Sequence, residues 1–147
     1  MNTNYYKDNV FLGALVAAPL FWLALALFTR PDIHIAWPIN WPARFLLLSL
    51  VYPVLEEIVF RGWLQGVLHA RRSGRKAYKG ISAANTITSL VFVGTHFLYH
   101  SVGWSIAVVI PSVVFGYLRD RYGTIKPGVI LHVYFNTGYF WIFNSSF

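Results

Sequence analysis

The stretch that most constrains this chain is Leu55-Glu56-Glu57-Ile58-Val59-Phe60-Arg61-Gly62, set inside an apolar run from Phe45 to Leu68. The chain has five acidic residues in all, and two of them stand side by side here. Ionisable groups at membrane depth are costly and point by default to a functional site. On a helix Glu57 and Arg61 share a face at i and i+4 and can pair, while Glu56 points about 100° away. Two carboxylates and one guanidinium leave one negative charge uncompensated. Both carboxyls are then costly to ionise together, which suits one of them to take and give protons. A buried ion pair that merely locks helix packing accounts for Glu57 and Arg61 but leaves Glu56 unexplained.

The rest of the composition agrees with a membrane setting. Apolar residues make up 56% of the 147 and charged residues only 12%, against about 25% charged in soluble domains. The length suits one domain, 1–147. A net charge of +7 could mark a nucleic-acid surface, but loops that obey the positive-inside rule explain it better, so no nucleic-acid partner is expected. The absence of cysteine removes disulfides, thiolate ligands and a thiol nucleophile.

The expected fold is all-α, a polytopic membrane bundle of about five helices in contact with the lipid bilayer. Val10 to Phe28 is a charge-free run of about 28 Å as a helix, too long for a signal-peptide core and so read as retained, with a kink at Pro19. A polar connection with Trp37 and Trp41 leads to the second span, Phe45 to Leu68, which Pro53 should bend just before Glu56. Gly62 and Gly66 form a small-xxx-small pair suited to close approach of another helix. After the cluster Arg71, Arg72, Arg75, Lys76 and Lys79, Ser82 should cap a third helix running to about Tyr99. Trp104 to Leu118 is a fourth span, bent at Pro111, and Arg119 to Lys126 a second basic loop. Pro127 opens the fifth span, which ends near Phe143. With both basic loops inside, Lys and Arg count nine inside and two outside. The N-terminus is then cytoplasmic and the C-terminus outside.

Polar residues recur on three of these spans: Glu56, Glu57 and Arg61; then His96; then His132 and Asn136, which share a face at i and i+4. A single histidine in an apolar helix is usually a satisfied packing residue. Three polar-bearing helices in one small bundle favour mutual partnering, because buried polar groups need partners. Their depths conflict: Glu56 is near mid-span, His96 toward the outer end and His132 toward the inner, so the helices must tilt or bend to meet.

Glu56-Glu57-x-x-x-Arg61, Phe92-x-x-x-His96 and His132-x-x-x-Asn136, in this order, resemble the CPBP family of intramembrane proteases, which includes the type II CAAX prenyl endopeptidases. The motifs span roughly Tyr52 to Tyr139 in a chain short for the family, closest to compact bacterial forms that process proteins with C-terminal sorting tails. The resemblance implies an endopeptidase in the bacterial inner membrane, acting on membrane-associated or tailed protein substrates. It implies that Glu56 with His96 activates a water and that His132 and Asn136 form the oxyanion hole. Glu57 and Arg61 would stand behind them, holding the helix and tuning Glu56.

Other chemistries fit less well. There is no His-Glu-x-x-His motif, and Asp8, Asp32 and Asp120 all fall in expected loops, which leaves no aspartyl pair in the membrane. No cofactor is expected, although His96, His100, His132 and Glu56 could supply zinc ligands. Two further readings stay open: a proton-coupled carrier subunit using Glu and His as a relay, and a non-enzymatic membrane chaperone or immunity protein. Only hydrolysis needs an oxyanion donor, so Asn136 separates the protease from the relay.

Overall fold

The computed structural model describes residues 4–143. A 3₁₀ turn, Tyr5–Lys7, precedes α1 (Asn9–Thr29). The Asp8 side chain caps α1, accepting from the backbone N–H of Val10 and Phe11. The helix runs through Pro19 without ending and stops at Arg30, whose φ of 48° is left-handed. A short helix, α2 (Trp37–Asn40), leads to α3 (residues 42–70), which carries the Glu pair. Then come α4 (Ala83–His96), α5 (Val102–Tyr122) and α6 (Lys126–Ile142).

α6 lies at the centre, packed against α1, α3 and α5, while α4 packs on α5 and the lower half of α3. The burial pattern is inverted relative to a soluble protein. Glu57, Arg61, Gln65, Asn85, Thr88, Ser105 and Ser112 are fully buried, while Leu20, Leu23, Leu27 and Phe28 of α1 are exposed. Helices whose polar residues face each other and whose apolar residues face outward are arranged for lipid. α1 and α5 are long and apolar enough to cross a membrane, with mean hydropathy 2.4 and 1.5. The chain is therefore an all-α membrane helix bundle.

The segment boundaries mostly match the sequence reading, with four corrections. First, the disturbance expected at Pro53 appears as wide (π) turns in α3, Leu47–Val51 and Glu57–Leu64. Pro53 has no N–H to give, and the chain slips its register rather than ending. Second, α4 is capped by the Ser82 hydroxyl as expected, but its α-helical stretch ends at His96. Third, α5 is irregular at Val108, a turn before Pro111, and extends to Tyr122, where Gly123 ends it with a φ of 66°. Asp120, expected in a loop, thus sits in the last turn of a helix. Fourth, the basic stretch after α3 contains a minimal hairpin pairing β1 (Ala77–Tyr78) with β2 (Ile81–Ser82). Its turn is Lys79-Gly80, both with positive φ, the conformation that matches strand twist in two-residue turns. The C-terminal residues 144–147, expected on the outer face, lie outside the described residues.

Candidate active site

Glu57 and Arg61 pair as their spacing predicts, with Nη1 3.1 Å from Oε1 and both side chains wholly buried. Arg61 also donates from Nη2 to the Ser112 carbonyl at 3.1 Å and to the Ser112 hydroxyl at 2.7 Å, which ties α3 to α5. Its guanidinium lies over the Phe92 ring, 4.5 Å from the centroid, a cation–π contact that gains strength away from water. Phe92 in turn touches the His96 ring at 4.5 Å and the His132 ring at 6.0 Å. This explains why a phenylalanine precedes His96 by one turn: it walls the ion pair from below the histidines.

His132 joins the two carboxylates. Its Nδ1 lies 3.1 Å from Glu57 Oε1 in hydrogen-bonding geometry, and its Nε2 lies 3.4 Å from Glu56 Oε2. The Nδ1 bond leaves only Nε2 turned toward Glu56, and Phe115 braces the ring at 5.1 Å between centroids. Glu57 is thus the anchor of both Arg61 and His132. Glu56 remains about one-third exposed, onto a cavity of about 710 Å³ that His96, His132 and Asn136 also line. The depth conflict is resolved: four polar residues from three helices reach one space. His96 holds its own helix through Nδ1, 3.0 Å from the Phe92 carbonyl, and stacks on His100 at 5.5 Å. Asn136 donates from Nδ2 to the Leu48 carbonyl at 3.2 Å. One amide hydrogen is used there and the second is left over. Among the described residues, no three His, Cys, Asp or Glu side chains gather in a way that could hold a metal ion.

Several contributing residues carried no sequence signal. Ser112 reads as an ordinary helical serine. Gly128 makes room for Glu57: a Cβ there would stand 2.8 Å from Glu57 Oε2. Gly138 receives the Trp22 indole so closely that any side chain would collide with it. Gly66, read as a site for helix approach, faces α5 through the Arg119 guanidinium, with Nη2 3.3 Å from where a Cβ would be.

α1 forms one wall of the cavity through Gly13, Ala14, Ala17 and Ala18. A Cβ added at Gly13 would meet nothing within 4 Å. The helix is fixed at its lower end, where the Asp8 carboxylate accepts from Tyr122 at 2.7 Å and pairs with Arg121 at 2.8 Å. Higher up, Trp22 seats it in the Gly138 notch. The remaining walls are mostly apolar, with the Trp104 ring tilted against Tyr139 at 4.5 Å between centroids. A polar corner in an apolar chamber can hold an extended apolar segment against a few groups that fix its orientation.

No curated protein and no solved structure matches the chain. Residues 38–138, from the start of α2 to the Gly138 notch, match the family described as type II CAAX prenyl endopeptidase Rce1-like. That span includes all three motifs, and the chain belongs to this family of membrane proteases.

Proposed function

We propose that the chain is a glutamate-dependent intramembrane endopeptidase that cleaves membrane-associated or C-terminally tailed proteins. The observation that carries this reading is His132 held between Glu56 and Glu57 on the wall of a cavity that His96 and Asn136 share. Glu56, the carboxylate open to that space, takes a proton from a water held between it and His96. The hydroxide adds to the scissile carbonyl carbon. The developing oxyanion accepts from the spare amide hydrogen of Asn136 and from an Nε2–H of His132. Glu57 does not hold that ring nitrogen, and Glu56 releases it once it has taken the water's proton. Glu56 then returns its proton to the departing amine as the C–N bond breaks. Glu57 and Arg61 keep His132 and Glu56 in register, a supporting role of the kind that outer partners of a site perform.

The nine-to-two distribution of Lys and Arg supports a multi-pass cell-membrane protein with a cytoplasmic N-terminus. Labelling of a cysteine at Ser73 by an impermeant reagent from outside intact cells overturns that orientation.

The decisive experiment uses purified protein with three peptides: a farnesylated peptide of CAAX form, its unprenylated counterpart, and a peptide bearing an apolar C-terminal tail. Cleavage is followed by mass spectrometry for wild type and Glu56→Gln. Cleavage of at least one peptide by wild type and its loss in Glu56→Gln is the expected result. Cleavage that persists in the variant sinks the assignment of Glu56.

A further inference from the structure

The two wide turns of α3 each deprive a carbonyl of its α-helical donor. At the first, the Tyr52 N–H bonds to Leu47 O, five residues back, and so misses Leu48 O. At the second, the Gln65 N–H bonds to Phe60 O and misses Arg61 O. Buried carbonyls require a donor, and in both cases a side chain of a neighbouring helix supplies one. Asn136 serves Leu48 O from α6, and Arg119 Nε serves Arg61 O from α5, each at 3.2 Å.

Asn136 belongs to the cavity, but Arg119 does not line it, so its bond has no explanation in the chemistry proposed above. Its three nitrogens are all placed. Nε reaches Arg61 O, Nη1 lies 3.2 Å from Asp120 Oδ1, and Nη2 occupies the space left by the missing side chain of Gly66. Asp120 is itself held, by Gln65 Nε2 at 2.8 Å and by the Ser82 hydroxyl, with His69 Nδ1 3.2 Å away. Gln65 also donates to the Gly116 carbonyl at 2.9 Å. The guanidinium is therefore aimed at one carbonyl by an acid that two other side chains, Gln65 and Ser82, hold by hydrogen bonds.

We propose that Arg119 is a positioning residue of the active site, the external donor that holds residues 57–64 in their wide-turn form. Each residue of an α-helix adds about 100° of rotation, so collapse of the wide turn to α-helix turns one end of α3 against the other. With Gln65 held by Gly116 and Asp120, the rotation falls on the other end: Arg61 loses Ser112 and Glu57 no longer meets His132. Gly66 is the matching cavity: a side chain there pushes Arg119 off the carbonyl.

The kinetic part of the test rests on the function proposed above; the exchange part does not. Amide hydrogen exchange over residues 61–66, together with kcat and KM for the farnesylated CAAX peptide, is measured for wild type, Arg119→Ala, Arg119→Lys and Gly66→Leu. Arg119→Ala is expected to speed exchange at 61–66 while α1 keeps its protection, and to lower kcat about tenfold with KM little changed, as for other supporting groups. Added ethylguanidinium restores both in Arg119→Ala. Arg119→Lys restores neither, because an ammonium lacks the planar fork that spans Arg61 O and Asp120 together. Gly66→Leu reproduces the loss with Arg119 present. Unchanged exchange at 61–66 in Arg119→Ala overturns the proposal. So does an equal loss of protection in every helix, or a lysine variant that matches wild type. If wild type cleaves no peptide, the proposed function fails while the exchange result still decides the role of Arg119.

Discussion

Two polar clusters lie along the inner face of α3, one centred on the buried Glu57 and the other on the partly buried Asp120, and they treat their carboxylates in opposite ways. Asp120 receives hydrogen bonds from Gln65, Ser82 and Arg119, with His69 alongside. Glu57 shares His132 and Arg61 with a second carboxylate, and its Oε2 has no hydrogen-bond partner. Both clusters contain buried polar atoms without a hydrogen-bond partner, Gln65 Oε1 and His69 Nδ1 around Asp120 and Oε2 on Glu57 itself. The contrast therefore lies in the carboxylate: one held by several donors fixes an assembly, whereas one with an oxygen left open calls for a functional explanation. The first cluster opens on the cavity through Glu56 and the second does not touch it. The comparison separates what holds the bundle together from what acts.

Glu56→Gln breaks the comparison most severely. It removes the uncompensated charge and keeps the shape, so peptide turnover falls roughly 10²–10⁴-fold, the range of a general base. The melting temperature in detergent stays level or rises. Glu57→Gln acts on the same cluster from behind. It leaves Arg61 buried without its counter-charge, at a cost of about 3–5 kcal/mol, and activity is lost mainly through unfolding. Adding Arg61→Met recovers part of that stability. A stable, dead Glu57→Gln beside an unstable, active Glu56→Gln reverses the two roles.

Asp120→Asn sharpens the contrast from the other side. A charged acceptor of several hydrogen bonds is replaced by a neutral amide, with an expected loss of about 1–3 kcal/mol in denaturant unfolding. Turnover per folded molecule falls far less than in Glu56→Gln. Turnover that collapses as completely as in Glu56→Gln would mean that the two clusters are one site.

The smallest effect is expected at Asp8, a third carboxylate, outside the membrane spans. Burial pushes its carboxyl up, but the hydrogen bonds from Tyr122 and from the Val10 and Phe11 amides, with the Arg121 charge, outweigh this and hold it below the usual carboxylate range. A lowered folded value means that its contribution is present above that range and is lost as pH falls through the folded value. Melting temperature against pH should therefore drop on the acid side in wild type and drop less in Asp8→Asn. At neutral pH the variant should lose less than about 1 kcal/mol, since asparagine caps a helix as well as aspartate.

Spacing alone made much of this legible. Glu57 and Arg61 at i and i+4 did pair, Ser82 did cap α4, and the polar residues of three spans did come to one cavity. Axial offset between helices is a tertiary quantity, so the sequence left Glu56, His96 and His132 at conflicting depths. The wide turns were hidden for a related reason. Pro53 announces a missing donor, but whether a chain bends, breaks or slips register depends on neighbours that can serve the freed carbonyls, here Asn136 and Arg119. Asp120 was misread because arginines on both sides resemble a loop, and only Gly123 marks the true end of α5.

The bare inner face of α1 has a consequence for how chains of this kind diversify. At Gly13 the cavity is bounded by backbone, with open room where a side chain would stand, and both anchors of the helix lie elsewhere. A substitution there alters the shape of the chamber without asking any packed neighbour to move. The capacity to admit bulkier or slimmer guests is thus uncoupled from both stability and chemistry, and it can drift by single mutations while Glu56 and its partners stay fixed.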